Sequence, residues 1–330
     1  MEPKVTLQSW TRNPIGTIYS AWYASRETTS PPDPKDVNEN DPKVIELFQK
    51  VIDSHLPVAD MLNFVFLIEN ASISFREQFV RHRVGVRFGD RVGIDYVPEL
   101  GQTSFWTQGH RILDMTTFAK EKRYRIPPSI EENEKLLKIY EDTMITIENA
   151  YTTMVNAGIH REDAREVLPL GAQHSLNVVV NLTALKHIVS KRACWIPQLD
   201  LWEPIIRGMV NELSNKVHPL FRNLINPPCI KDGKFHECLF KFDNEKRIKG
   251  EDEPTPCSLY IEHYQKELRN DKKLKEIIGD RRYDRFQKQK SSFTELWMRN
   301  PWTGETITKH DMSEVDIVEG DPTKEGMEGL

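Results

Sequence analysis

Apolar positions recur with two different periods along this chain. Val5 to Trp10 alternates loosely and predicts a first strand. Leu62, Phe64, Phe66 and Ile68 alternate cleanly and predict a second, half-buried one. Helical spacing appears after Asn13-Pro14, which offers an N-cap and a proline at the first helical position, with Ile15, Ile18 and Trp22 following. Asp41-Pro42 opens a second helix with Ile45, Phe48 and Ile52 on one face. A third is expected from about Ser72 to Arg83. Gly85, Gly89, Gly93 and Gly101 then punctuate a segment that reads as irregular up to about Arg125. Ser129 and Glu132 form a capping-box pattern, and Leu136, Tyr140, Met144, Ile147, Tyr151 and Met154 make one stripe of the helix it should open. Gly158 is a natural stop for it. A short helix from about Arg161 should end before Pro169. Another is expected from roughly Ser175 to Arg192, and a last one from near Pro197, kinked or restarted at Pro204.

After Pro227-Pro228 the pattern weakens, lysines and acids dominate, and the stretch 311–330 reads as a mobile acidic tail. The expected organisation is a catalytic domain over 1–225, an extension over 226–310 and that tail. With 330 residues, 38% of them hydrophobic, the chain can bury a sizeable core. Its formal net charge of −5 argues against coating nucleic acid, which needs many uncompensated Lys and Arg. No apolar run approaches the ~20 residues of a membrane span. Met1-Glu2-Pro3-Lys4 carries no charged-then-apolar signal, so a cytoplasmic protein is expected. Cys194, Cys229, Cys238 and Cys257 are too few for a disulfide scaffold. Cys229, Cys238 and Cys257, with His236 nearby, could offer zinc a tetrahedral site, but no C-x-x-C supports it and ordinary thiols explain them as well.

Two places carry candidate chemistry. Gln78-Phe79-Val80-Arg81-His82-Arg83 stacks cationic and titratable side chains at a helix end, where neighbours point ~100° apart. Such a cluster either wraps an anion or dissolves in water as a helix C-terminus whose charge complements the dipole. Further on, Asn181, Leu185, Ile188 and Arg192 fall on one helical stripe, with the two polar ends roughly 16 Å apart. That suits a long amphipathic ligand, or merely a helix with two wet ends.

Taken together, and in order, these residues resemble the flavin-dependent thymidylate synthases. The resemblance rests on Arg81-His82-Arg83, Ala164-Arg165-Glu166-Val167-Leu168-Pro169, Asn181, Arg192 and Pro197-Gln198-Leu199-Asp200-Leu201. Upstream, Ser25 matches a flavin-touching serine, and His55 and Asp60 stand where the family has His and Glu before a Phe-x-Phe strand, here Phe64-Val65-Phe66. The match covers roughly residues 5 to 215. It departs in three places. The family's Ser-x-Arg element finds its best counterpart only at Gly109-His110-Arg111, after an insertion. Thr183 replaces a flavin-contacting arginine, and His187 replaces an asparagine.

The resemblance implies an α/β (α+β) fold with a mixed sheet and long helices. It also implies FAD-dependent reductive methylation of dUMP to dTMP, with methylenetetrahydrofolate and NADPH as co-substrates, in a homotetramer whose sites combine residues from several subunits. Ser25, His55, Asp60, Arg81, His82, Arg83, Asn181 and His187 are expected to line FAD. Gln78, Gly109, Arg111, Arg165 and Arg192 are expected at the nucleotide, with Arg165 and Arg111 on its phosphate and Arg192 at the pyrimidine ring as the catalytic residue. None of the cysteines is expected to serve as nucleophile, and no membrane or nucleic-acid partner is implied. The altered Ser-x-Arg element leaves open a related flavoenzyme adding a one-carbon group to another pyrimidine nucleotide, and also a non-catalytic nucleotide- or flavin-binding relative.

Overall fold

The computed structural model describes residues 2–26, 29–53, 57–82, 103–108, 113–193, 199–225, 227, 229, 238, 241–249 and 256–297. In chain order, strand β1 (Lys4–Trp10) leads into helices α1 (Pro14–Ala24) and α2 (Pro42–Asp53), then strand β2 (Asn63–Ser72) and helix α3 (Ile73–Phe79). Strand β3 (Thr103–Thr107) precedes helices α4 (Pro128–Glu131), α5 (Glu134–Asn156) and α6 (Arg161–Ala164). Strand β4 (Gln173–Asn181) runs into α7 (Leu182–Arg192) and α8 (Leu199–Lys216). Helices α9 (Phe221–Leu224), α10 (Lys241–Ile248), α11 (Ser258–Tyr264), α12 (Asp271–Ile278) and α13 (Asp280–Trp297) complete the described chain.

The α/β (α+β) class expected from the sequence is the class observed. The sheet is not mixed, however. Its order is β1-β2-β4-β3, and each pairing is antiparallel. Phe64, Phe66 and Ile68 of β2 and Leu176, Val178 and Val180 of β4 point to one face and are fully buried or nearly so. Phe66 sits opposite Val178, so the two central strands present one apolar surface. Helices α7 and α8 cover it, and Trp202, Ile205, Ile206, Met209, Val210 and Leu213 of α8 join the same core. Leu259, Tyr260, Ile261, Leu274, Ile278 and Phe286 from the C-terminal helices belong to it too. A second cluster under α5 gathers Met115, Phe118, Tyr124, Met144 and Tyr151.

Several elements differ from the sequence expectation. The helix expected from Ser175 begins only at Leu182, because Leu176, Val178 and Val180 alternate inward as a strand and Asn181 then caps α7. The glycine-punctuated segment contains β3, which pairs with β4 through Thr103 to Thr107. Helix α5 is capped not by Ser129 but by Asn133, whose side chain accepts from the Lys135 and Leu136 amides at 3.1 and 3.2 Å. Helix α8 runs through Pro204 without restarting, since a proline this near the start frees only the carbonyl of Asp200. Asn13 caps α1 as expected, accepting from the Gly16 amide at 2.7 Å. Gly158, at φ +84°, ends α5 in the left-handed conformation that glycine adopts without strain.

Helix α5 buries only one face. Its exposed side carries an uncharged seam of Leu136, Ile139, Thr143, Thr146, Ala150 and Thr153, spaced alternately three and four residues apart, with the exposed Lys135, Lys138 and Asp142 on the same helix. Among the described residues no helix is long and apolar enough to cross a membrane.

Candidate active site

Three elements meet at the end of the sheet: the C-terminal end of α3, the C-terminal turn of α7 and the first turn of α8. Helix α3 is held at its start by Ser72, whose hydroxyl accepts from the Phe75 amide. Phe75 and Phe79 bury one face of it against the indole of Trp202, at ring separations of 4.7 and 5.7 Å. That anchoring sends Gln78 and His82 toward Arg192. The Arg192 guanidinium lies over the Trp202 ring at 4.4 Å. It donates from Nε to Nε2 of His82 at 3.0 Å and from Nη1 to Oε1 of Gln78 at 3.3 Å. The Trp202 indole N–H donates to the same Gln78 oxygen at 3.0 Å.

The electrostatics are one-sided. Burial, Arg192 and His187 push His82 down to about 4, so at neutral pH it is an uncharged acceptor. Burial and Lys191 lower His187, and burial and Arg81 lower Arg192. His82 and His187 stand edge to face at 6.1 Å. Among the described residues no carboxylate pairs with Arg81, Lys191 or Arg192. A half-buried guanidinium whose partners are all neutral is a receptor for an anion or for charge developing on one.

The other expected site residues fall in different places. Asn181 is buried, and its Oδ1 caps α7 by accepting from the Ala184 amide at 2.9 Å. Leu185 and Ile188, between Asn181 and Arg192, are fully buried, so the apolar middle of that stripe belongs to the core. Asp60 sits in the turn Pro57–Met61, which packs against α1 and α7. Ser25 ends α1, and its hydroxyl donates to the Trp22 carbonyl at 2.7 Å. Arg165 lies over α5, donating to the Glu162 carbonyl at 3.1 Å and standing 3.9 Å from Glu166. No contact joins Ser25 or Arg165 to the Arg192 cluster among the described residues. His55, Arg83, Gly109, Arg111, Cys194 and His236 lie outside the described residues.

Cys238 and Cys257 meet through the buried Asn244, which donates to the Cys238 sulfur at 3.6 Å and accepts from the Cys257 amide at 2.7 Å. Among the described residues no group of three or more His, Cys, Asp or Glu is arranged to hold a metal. Sequence reasoning missed Trp202 and Lys191. The signal for Trp202 was available, because an indole on a buried helical stripe needs an acceptor for its N–H.

A family model described as thymidylate synthase complementing protein matches residues 6–220, more than half of the chain. The chain belongs to the flavin-dependent thymidylate synthase family. The flavin-dependent thymidylate synthase of Pyrococcus furiosus is 26% identical over 241 residues, covering 70% of this chain and 88% of that one. Its counterpart in Pyrococcus abyssi is 27% identical over 234 residues with the same coverage, 70% and 88%. Among solved structures, a UMP/dUMP methylase from Streptomyces cacaoi bound with 5-Br dUMP superposes with a TM-score of 0.48 at 18% identity, over 67% of this chain and 93% of that one. Thymidylate synthase X from Helicobacter pylori, solved with FAD and dUMP, gives 0.45 at 15% identity, over 67% and 99%.

Proposed function

We propose that this family member carries out the reductive methylation of dUMP to dTMP, with FAD as cofactor and methylenetetrahydrofolate and NADPH as co-substrates. The observation that supports this most directly is the cationic cluster around Arg192, in which no carboxylate among the described residues pairs with Arg81, Lys191 or Arg192. FAD and dUMP are both polyanions, and the cations Arg81, Lys191 and Arg192, beside the neutral imidazoles of His82 and His187, fit phosphate and electron-rich ring carbonyls. When bound, FAD would supply hydride; the protein binds, orients and stabilises charge. Arg81, His82, Arg83 and His187, with Ser25, His55, Asp60 and Asn181, are assigned to the flavin. Gln78, Gly109 and Arg192 are assigned to the nucleotide, with Arg165 and Arg111 on its phosphate. Arg192 faces the pyrimidine and stabilises negative charge building on its carbonyls.

Arg165 stands apart from this cluster within one chain, so a site that uses both draws on more than one subunit. The uncharged, exposed seam of α5 supports a homotetramer in which helices pair.

The kinetic test separates the two arginines. A phosphate carries the same charge in ground and transition states, so Arg165→Ala should raise KM and leave kcat nearly intact. Arg192→Ala should lower kcat by roughly 10²–10³-fold at saturating dUMP with FAD still bound. An Arg192→Ala enzyme with normal kcat removes Arg192 from the ring. Gly109, in place of a serine, favours also testing UMP and other pyrimidine nucleotides, with the product identified by mass.

A further inference from the structure

We infer that Trp202 is a positioning residue of this site, which sets the amide orientation of Gln78 and the plane of the Arg192 guanidinium. Trp202 is fully buried, and Phe75 and Phe79 pack against its ring, so the indole cannot swing. Its N–H and one Arg192 N–H converge on the same Gln78 oxygen, at 3.0 and 3.3 Å. Two donors on one atom assign the amide, because the flipped amide would set an NH2 group against two N–H groups. The amide is thus held by its oxygen, with its nitrogen turned away from these two donors. The indole face does the second job. With Arg192 lying 4.4 Å above it and Nε directed to His82, the guanidinium has one allowed plane. Its remaining N–H groups point where that plane dictates.

The functional consequence rests on the reading of this cluster as the nucleotide site; the structural claim does not. The test has an arm for each. In the first, the indole ¹⁵N–¹H signal of Trp202, assigned by its loss in Trp202→Phe, is followed in protein without nucleotide. It should be protected from exchange, and should shift and lose protection in Gln78→Leu. A signal indifferent to Gln78→Leu overturns the inference, whatever the enzyme does. In the second arm, dUMP binding to FAD-loaded protein is measured by calorimetry. Trp202→Phe keeps an aromatic face but loses the N–H, and should weaken dUMP about tenfold, the size of one lost hydrogen bond, with FAD content and Tm held. Unchanged dUMP affinity overturns the inference. If Trp202→Phe does not fold, benzothienylalanine at position 202 retains the ring volume and removes only the N–H. A wild-type protein that binds neither FAD nor dUMP defeats the functional reading and leaves the first arm to decide the positioning claim.

Discussion

Arg192 is the residue on which the site turns, because its charge is half-buried and, among the described residues, met only by neutral groups. Its closest acceptor is a histidine that must stay unprotonated to accept, and this couples the site to pH. His82 has its ordinary value of 6.5 pushed down to about 4 by burial, Arg192 and His187. Between those values the unfolded chain takes up a proton that the folded chain refuses. Unfolding is then coupled to proton uptake, and stability falls as pH drops through that window. The contribution is fully present above 6.5 and gone below about 4. His187 and His218 are also lowered and act in the same direction, so the difference between proteins is the readout. Urea unfolding from pH 7 to pH 4 should show a shallower loss for His82→Gln than for wild type. Parallel loss in both would show that His82 protonates as easily folded as unfolded. At this scale much was legible: Gln78, His82 and Arg192 were all named from their order along the chain, and the fold brings them within hydrogen-bonding distance. Trp202 was not, because apolar periodicity counts an indole as core and is blind to its N–H. Asn181 shows the opposite limit. Its place at a strand–helix junction makes it a cap, a local role that a stripe drawn over a longer helix conceals.

The elements repeat that lesson. The stretch from Ser175 to Arg192 carries apolar residues along most of its length, with period two in its first half and helical period in its second. A reading that averages across the junction sees one helix; the backbone makes β4 and α7. Capping offers a clean measurement of the same kind. Ser129 and Glu132 have the right spacing for a capping box, yet Asn133 makes the two bonds at the start of α5. Asn133→Ala should cost about 1 kcal/mol in chemical denaturation, and Ser129→Ala only a few tenths. Equal costs would mean that the two caps share the helix start. Helix α8 meets the edge strand β1 through a glycine. A Cβ on Gly208 would stand 2.8 Å from Val5 Cβ and 2.8 Å from its Cγ2, closer than packed carbon atoms come. Overpacking of this kind costs about 1–3 kcal/mol, more than the ~1 kcal/mol an alanine gains in helix propensity. Gly208→Ala should therefore lower Tm, and a raised Tm would show that α8 can lift from β1 without loss. Since α8 also carries Trp202, a shift there should register in nucleotide affinity as well.

At the scale of the molecule, the core did not stop where the sequence pattern weakened. Leu274, Ile278 and Phe286 lie among lysines and acids, yet they pack into the same cluster as Phe66 and Val178. A few apolar side chains at helical spacing are enough once a sheet offers them a face, and no periodicity within their own stretch shows that face. The same scale decides how Arg165 and Arg192 can act together. Within one chain Arg165 has Glu162 and Glu166 for neighbours, while Arg192 lies over Trp202 beside Gln78 and His82. A shared site built between subunits has a testable arithmetic. Arg165→Ala and Arg192→Ala chains, each inactive at low dUMP, can be co-expressed or unfolded together and reassembled. If one subunit supplies Arg165 and another supplies Arg192, random mixing leaves about a quarter of the sites with both arginines intact. Activity should then rise to roughly that fraction of wild type, and should depend on the ratio of the two chains with a maximum at equal amounts. If each site takes both residues from one chain, every site in the mixture lacks one of them, and the activity stays at the level of the separate variants. A mixture without recovery, in particles shown by mass to contain both chains, would therefore return Arg165 to a structural role beside Glu162 and Glu166 or to a site within its own subunit.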